Sequence, residues 1–364
     1  MDRLSIRAVK MVPLFISRRL HWGEVLLQQL AQAQKRPRLV VLPGAAASGS
    51  AGDLRGRAIG VALRRLGWRT LVMPTALCLE DCRRFIRAEA PDLLLLQKVR
   101  HRLNRPQLYD VPVVLDVDDA DIQLQPELVA ECCRNSKAVL AGNRYMADVL
   151  REFNPRVSVV WTGTYLRPRR GATPNHARAP VIAWAPSLLS MFPREAALVR
   201  EIVLRLAARR RDFSFRLYGC DSAASAQLCV HPLLEAGVPV SCVPPLGYRR
   251  FARSLESVAI GLAPIAPDFE YGRGKSFGKV LAYIVSGCAV IASNAVDYPE
   301  FFRNGRNGLL AGSVDEWVEA CEMLLDDAAA RAEMARAAQA DFPAKLSIEA
   351  AAGQVGRILR ELIS

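Results

Sequence analysis

Two lysines and a serine in the second half of the chain have the spacing of an anion-binding site. Lys275 and Ser276 lie at the N-terminus of a helix predicted to begin at Ser276, and Lys279 lies one turn beyond Lys275 on the same face. The first turn of a helix has free N–H groups and the positive end of the helix dipole, so it attracts anions. Two ammonium groups there predict a diphosphate site. An ordinary solvated helix start is the alternative.

Four aspartates cluster in the first half, between Asp116 and Asp121, directly after an apolar strand. Carboxylates at the C-terminal end of a strand can bind a substrate hydroxyl, act as a base or hold a metal. Helix capping and turn formation, which aspartate also favours, are the alternative. The pattern favours a functional role for Asp118 and Asp119.

Patterns typical of several other chemistries are missing from the sequence. The four histidines lack the spacing of a hydrolase triad or a zinc site. The nine cysteines form no CxxC pair, which indicates reduced thiols. The glycine-rich loop between Gly44 and Gly52 lacks the spacing of a Walker loop or a dinucleotide fingerprint.

The positive charge of the chain is confined to its first half. Residues 1–180 hold 29 Lys and Arg against 16 Asp and Glu, whereas the rest holds 20 of each. The net charge of +13 therefore lies in the first half, which predicts that this half faces an anionic surface. A generally arginine-rich composition is the alternative. No basic stripe with interleaved aromatic residues is present, so we expect no nucleic-acid partner.

Two series of alternating strands and helices organise these residues. The strands predicted in the first series are Arg38–Gly44, Thr70–Met73, Leu93–Gln97, Val113–Val117 and Val139–Ala141. Those predicted in the second are Val181–Trp184, Phe213–Tyr218, Val240–Val243, Ala259–Pro264 and Ala289–Ser293. Three prolines and no apolar period mark residues 165–180 as the break between them. Alternation of this kind predicts an α/β protein with parallel sheets.

The segment after Lys279 resembles the donor-binding signature of the group-1 glycosyltransferases. The matching pieces are Gly287–Ser293 (GCAVIAS), the pair Pro299-Glu300, and Gly305–Leu310 (GRNGLL). The resemblance implies the GT-B fold, in which two Rossmann-like domains face a central cleft. We expect a basic N-terminal extension, an N-terminal acceptor domain, a linker, a nucleotide-sugar domain and a C-terminal helix that packs back toward the N-terminal domain. Their predicted bounds are 1–36, 37–165, 166–180, 181–345 and 346–364.

The same resemblance assigns roles to individual residues. It implies that Lys275, Ser276 and Lys279 bind the diphosphate and that Gly247 and Tyr248 border the donor base. Two further implied contacts are the turn at Ser187 with a phosphate and Glu300 with the donor sugar or ribose. Asp118 and Asp119 are expected to orient acceptor or donor sugar from the opposite wall. The glycine-rich loop at Gly44 lies where the family admits its acceptor.

One departure from the family pattern affects the donor site. Many members have two glutamates around the phosphate-binding helix, at positions that are Gly274 and Ala282 here. Glu270 and Glu300 are candidate substitutes. A catalytically inactive GT-B scaffold, or partner subunit, is one alternative. A nucleotide-sugar epimerase of the same fold is another, although epimerases usually need clustered acid and base groups.

The resulting functional expectation is transfer of a sugar from a nucleoside diphosphate donor to a glycan or lipid-linked acceptor in cell-envelope polysaccharide synthesis. The resemblance implies retention of configuration, with the donor as a substrate and no other cofactor. The D-x-D metal site of GT-A enzymes does not fit, because here the phosphate features lie about 160 residues later in a second series. We therefore predict no metal, and a cytoplasmic protein peripheral at the inner membrane.

Overall fold

The computed structural model describes residues 21–28, 37–44, 52–266 and 270–364. Over these residues it contains two parallel sheets of six strands each, with strand orders β2-β1-β3-β4-β5-β6 and β12-β11-β10-β7-β8-β9. The first sheet comprises β1 Arg38–Leu42, β2 Arg69–Val72, β3 Leu93–Gln97, β4 Val113–Val117, β5 Ala138–Ala141 and β6 Val157–Val159. The second comprises β7 Val181–Trp184, β8 Ser214–Tyr218, β9 Val240–Val243, β10 Ile260–Ala263, β11 Ala289–Ser293 and β12 Leu309–Ala311.

Helices cover the sheets. In the first half they are α1 Ile59–Arg65, α2 Leu79–Glu89, α3 Asp121–Leu124, α4 Pro126–Arg134 and α5 Arg144–Leu150, and a π-helical turn, Gly52–Ala58, precedes α1. In the second half they are α6 Pro193–Arg209, α7 Ala223–Glu235, α8 Tyr248–Ser254, α9 Glu270–Arg273, α10 Gly278–Val285, α11 Tyr298–Phe301, α12 Val314–Asp326, α13 Ala328–Lys345 and α14 Ile348–Glu361. Residues 21–28 are also helical.

The apolar runs explain why these strands form parallel sheets. β3 reads LLLLQ and β11 reads AVIAS, and every residue of both strands is buried. Strands with helices packed on both faces need such continuous apolar sequence. The predicted α/β class with two parallel, Rossmann-like sheets is confirmed. The carboxyl ends of the strands in each sheet face the central cleft, where this type of fold binds its ligands.

The segment between the two sheets and the end of the chain join the two halves. Thr164 pairs with Ser347, immediately before α14. That helix packs Val355 and Leu359 into the apolar cluster that contains Trp68 of the first half. The C-terminal helix thus returns to the N-terminal sheet, while the domain bounds given above stay predictions.

The basic N-terminal extension, which is part of the membrane-facing prediction, lies largely outside the residues that the structure describes. Residues 1–20 and 29–36, which carry most of the basic extension, lie outside the described residues. Among the helices that the structure describes, none is long and apolar enough to span a bilayer.

Candidate functional site

A cavity of about 490 Å³ lies between the two halves of the protein. Its N-terminal wall includes Asp118 and Asp119, which follow β4, and its C-terminal wall includes Lys275, Ser276 and Lys279. A volume of this size is typical of a small-molecule site. The structure therefore brings together the predicted diphosphate residues and the predicted aspartates, although they are more than 150 positions apart in the chain.

The loop before α10 is fixed by residues of the opposite domain. The Asn143 side-chain amide donates to the carbonyl oxygens of Arg273 and Lys275, at 2.9 and 3.0 Å. The hydroxyls of Thr162 and Ser276 lie 2.7 Å apart. The helix begins at Gly278, two residues later than predicted, so Lys279 lies in its first turn. Its N-terminal N–H groups are therefore near the Lys279 ammonium.

Lys275 already has an anionic partner. Its Nζ lies 3.0 Å from Oδ1 of Asp119, and it stands over the rings of Tyr271 and Phe192, 4.2 and 5.2 Å from their centroids. Burial acts to lower the pKa of Lys275, but the Asp119 carboxylate and Tyr271 outweigh burial and leave the pKa raised. Lys275 is therefore held as a cation that bridges the two domains.

Lys279 has a different environment. It lines the cavity and has no carboxylate partner among the residues that the structure describes. Burial, together with the nearby Lys275 ammonium, lowers the pKa of Lys279 to about 8, and Asp119 only partly offsets this. An ammonium that is desolvated without a counter-ion is a cost to the folded protein unless an anion binds beside it. The position of Lys279 thus matches the requirement for an anionic ligand.

Each carboxylate of the aspartate turn is paired with a cation. Lys98 lies 3.2 Å from Asp118 and contacts Asp119 as well, and Arg100 pairs with Asp121. Burial acts to lower the pKa of Lys98, but Asp118 and Asp119 outweigh it and leave the pKa raised. In the described part of the chain, no three His, Cys, Asp or Glu side chains converge on a point that could hold a metal.

The fourth aspartate, Asp116, is bound by Arg55 of the π-helical turn. Arg55 contacts both carboxylate oxygens and also donates to the carbonyl oxygen of Val160 at 2.7 Å. The charged side chains that line the cavity itself are four cations and three carboxylates, so the lining has a net charge of +1. They are Lys98, Arg100, Lys275 and Lys279, and Asp118, Asp119 and Glu195.

The two positions where the family has glutamate have structural explanations. A Cβ added at Gly274 would lie 2.4 Å from the Cβ of Ala120, so glycine lets the aspartate turn approach the phosphate loop. Ala282 is fully buried among the apolar side chains of α10. Neither position offers an oxygen to the cavity.

Neither candidate substitute for those glutamates contacts the cavity. Glu300 is 41% exposed and pairs with Arg144, which lowers the pKa of Glu300. Its neighbour two positions earlier, Tyr298, lines the cavity, and a two-residue step in a helix turns the side chain to nearly the opposite side. Glu270 is exposed and also lies off the lining. The predicted contact of Glu300 with the donor therefore does not match its position.

Two of the remaining predicted residues, Ser187 and Tyr248, also line the cavity, whereas Gly247 does not. Ser187 lines it in the loop after β7, next to Trp184. Tyr248 lines it at the start of α8, and Pro244 to Leu246 form an exposed edge beside it. Gly247, the residue before α8, lies on a neighbouring groove and not on this cavity.

Two functional candidates escaped sequence reasoning. Glu195, in the first turn of α6, is buried and lines the cavity, where its Oε1 accepts a long hydrogen bond from the Ala266 N–H. Its signal was the sequence Pro193-Arg-Glu at a helix start, just beyond the Ser187 turn. The other candidate is Lys98, which pairs with Asp118 and Asp119. Its backbone is left-handed, with φ of 61°, and no sequence pattern indicated this conformation.

Residues 194–355 match the family model described as "Glycosyl transferase-like". The matched segment includes Glu195, Lys275 and Lys279. A comparison with curated protein sequences gives no match.

The fold is similar to several solved structures, and this similarity confirms the predicted GT-B arrangement of two Rossmann-like domains. Sucrose-phosphate synthase from Thermosynechococcus elongatus superposes with a TM-score of 0.66 at 14% identity, over 90% of this chain and 99% of that one. HepE from Anabaena, solved with UDP and glucose, gives 0.62 at 14% identity over 90% and 100%. A glycosyltransferase from Rickettsia africae gives 0.65 at 12% identity over 90% and 98%.

Proposed function

We propose that the chain is a glycosyltransferase of the group-1 type, which transfers a sugar from a nucleoside diphosphate donor to a glycan or lipid-linked acceptor. The observation that carries the proposal is Lys279, a cavity-lining ammonium without a carboxylate partner in the described residues, at the start of α10. A donor diphosphate would supply the missing anion. Its negative charge increases as the bond to the sugar breaks, so the same contact would stabilise the transition state.

The ion pair between Lys275 and Asp119 fits this role. Both groups are close to the Lys279 site, and Lys98 provides Asp119 with a second cation. A diphosphate can therefore share Lys275 without leaving the aspartate uncompensated. We expect Asp118 and Asp119 to orient the transferred sugar or the acceptor from the N-terminal wall, as charged acceptors of hydroxyl hydrogen bonds.

The apolar part of the cavity lining suits a nucleoside. Trp184, Tyr248 and Leu246 offer apolar surface to a base. Glu195 is a buried carboxylate on the same lining and is our candidate for the hydroxyl contact that Gly274, Ala282 and the misplaced Glu300 do not provide. HepE, a structure of the same fold, was solved with UDP-glucose, which supports UDP-sugars as the first donors to test.

A role in cell-envelope polysaccharide synthesis and retention of configuration are parts of the proposal that rest on the family resemblance. A further similar structure, TarM of S. aureus, was solved with UDP and α-GlcNAc-glycerol. Its TM-score is 0.58, and this chain spans 59% of its length. The product configuration can be read directly by NMR once a donor and an acceptor are known.

Binding of nucleoside diphosphates tests the donor site. A ligand present at 100 times its Kd stabilises the protein by roughly 2.7 kcal/mol, which a thermal-shift panel of UDP, GDP, ADP and CDP would detect. We expect one diphosphate to raise the Tm and the matching nucleoside to leave it unchanged. If none of the four diphosphates raises the Tm, the proposed donor site is refuted.

Catalysis needs a separate test, because the absent glutamates favour an inactive GT-B scaffold as the second candidate. Slow hydrolysis of the preferred donor without acceptor, followed by release of the diphosphate, separates the two. Hydrolysis that is lost in Asp119→Asn, while the variant still binds the diphosphate, supports the transferase. Tight donor binding with no turnover in any acceptor mixture supports the scaffold.

We also propose that the protein is cytoplasmic and peripheral at an anionic leaflet of the inner membrane. The support is the +13 charge excess of residues 1–180. Basic residues near such a leaflet contribute about 1 kcal/mol each within a Debye length of about 8 Å. Binding to anionic vesicles should therefore weaken steeply with salt and after deletion of residues 1–36. Equal binding to neutral vesicles would refute membrane docking.

A further inference from the structure

A second groove, of about 780 Å³, lies beside the donor cavity and is larger than it. Four separate parts of the chain form it: the π-helical turn with helix α1, the segment that joins the two sheets, the start of α8 and the start of α14. Both hollows are lined by Tyr248, so they adjoin there. No residue of the proposed diphosphate site lies in this groove. Nothing in the proposed donor chemistry accounts for its composition.

Arginine dominates the lining of this groove, which we call the arginine groove. Its lining contains five arginines and two carboxylates, so its net charge is +3. The arginines are Arg57 and Arg65 from the N-terminal side, Arg167 from the connecting segment, and Arg249 and Arg250 from the C-terminal side. Charges of one sign that come together from three parts of a chain create a positive potential, which attracts an anion.

The two carboxylates are already engaged. Glu349 pairs with Arg167 at 2.7 Å and lies 3.6 Å from Arg65. Asp53 accepts a hydrogen bond from the Tyr165 hydroxyl at 2.6 Å. Neither of the two forms an ion pair with an arginine on the opposite, C-terminal side of the groove.

Arg249 and Arg250 supply that charge. The Arg249 guanidinium lies over the Tyr165 ring, 4.7 Å from its centroid, so its orientation is held by stacking. Arg250 is exposed, and no carboxylate pairs with either arginine among the described residues. A guanidinium presents a planar fork of donors that matches phosphate and carboxylate oxygens. These two side chains are thus available to an oxyanion that enters the groove.

We propose that the arginine groove binds the anionic part of the acceptor, a glycan or glycan carrier that bears phosphate or carboxylate groups. The anion site stands on the charges alone, and its assignment to the acceptor rests on the proposed transferase function. The groove is large enough for more than one sugar unit, and it adjoins the donor cavity. An acceptor bound there would contact both domains and would be selected by its charge.

Titration calorimetry with inorganic tripolyphosphate tests the site, with maltotetraose as a neutral probe. Saturating UDP is kept present, so that the Lys279 site is filled. We expect binding of tripolyphosphate that weakens with salt, and no binding of maltotetraose. In the variant Arg249→Gln/Arg250→Gln the Kd should rise at least tenfold. The control Arg306→Gln/Arg336→Gln removes two exposed arginines outside the groove and should bind as wild type does.

The outcomes separate this site from the donor site. UDP affinity in Arg249→Gln/Arg250→Gln should stay within threefold of wild type, which also shows that the variant is folded. If both double variants lose tripolyphosphate binding equally, the attraction is due to diffuse charge, and the proposal is overturned. A groove variant that binds tripolyphosphate normally, or one that loses only its binding to anionic vesicles, would also overturn it. If none of UDP, GDP, ADP and CDP binds but the groove variant still loses tripolyphosphate binding, the anion site stands and the proposed transferase function fails.

Discussion

Replacement of Lys279 by methionine should have opposite effects on stability and on ligand binding. Methionine keeps the length and most of the volume of the side chain but removes the desolvated charge. The pKa of Lys279 is lowered from 10.5 to about 8. At 1.36 kcal/mol per pH unit, this difference corresponds to about 3 kcal/mol against the folded state, and contact with cavity water reduces it to about 1–3 kcal/mol.

The stability penalty of Lys279 changes with pH in a defined direction. Because the folded-state pKa of Lys279 lies below the unfolded value, the unfolded chain binds the proton more tightly between about pH 8 and 10.5. The penalty is therefore complete below pH 8 and disappears as the pH rises through this window. Lys279→Met should be more stable than wild type at pH 7 and equal to it near pH 10.5, as measured by urea unfolding without ligand.

Binding should change in the other direction. Loss of a charge-assisted contact costs about 1.5–3 kcal/mol, so UDP should bind Lys279→Met roughly 10- to 150-fold more weakly in titration calorimetry. Wild-type affinity should also fall above pH 8, whereas that of the variant should not. Lys137→Met, which changes an exposed lysine, is the control. A less stable Lys279→Met, or one with unchanged UDP affinity, would refute the reasoning.

Two further predictions concern the aspartate turn. Asp119→Asn should destabilise the protein by about 3–5 kcal/mol at pH 7, since it leaves Lys98 and Lys275 short of a counter-ion. Because Lys275 and Lys98 hold the pKa of Asp119 below its ordinary value against the effect of burial, this difference should persist above about pH 4 and shrink as the pH falls below it. EDTA should leave donor hydrolysis unchanged, because the proposed diphosphate contacts are lysines and a helix start; a loss of turnover that added Mg²⁺ restores would contradict this.

The sequence alone predicted most of the architecture. The bounds of β3, β4, β7, β9 and β11 agree with the structure, because a short apolar run between turn signals is a local property. Strands β6 and β12 were missed, since three-residue strands carry little pattern. Helix α12 was missed as well, although the capping box of Ser313 and Glu316 was readable.

The candidate site was only partly predictable. The spacing of Lys275 and Lys279 put both at one helix start, and the aspartate turn followed from its place after a strand. The pKa values of the two lysines shift in opposite directions because Asp119, 156 positions away in the sequence, pairs with Lys275, while no described carboxylate pairs with Lys279. No local pattern carries that information, because it requires the packing of two domains.

The direction in which individual side chains point was also decided by the tertiary structure. Glu300 had the family motif but faces Arg144, whereas Glu195 had no motif and faces the cavity. The five arginines of the second groove are spread from Arg57 to Arg250, and only the fold brings them together. Sequence periodicity determines which segments become strands and helices, because that choice is set by neighbouring residues. Which charges meet, and which remain unpaired, is set by contacts between distant residues and is therefore decided by the tertiary structure.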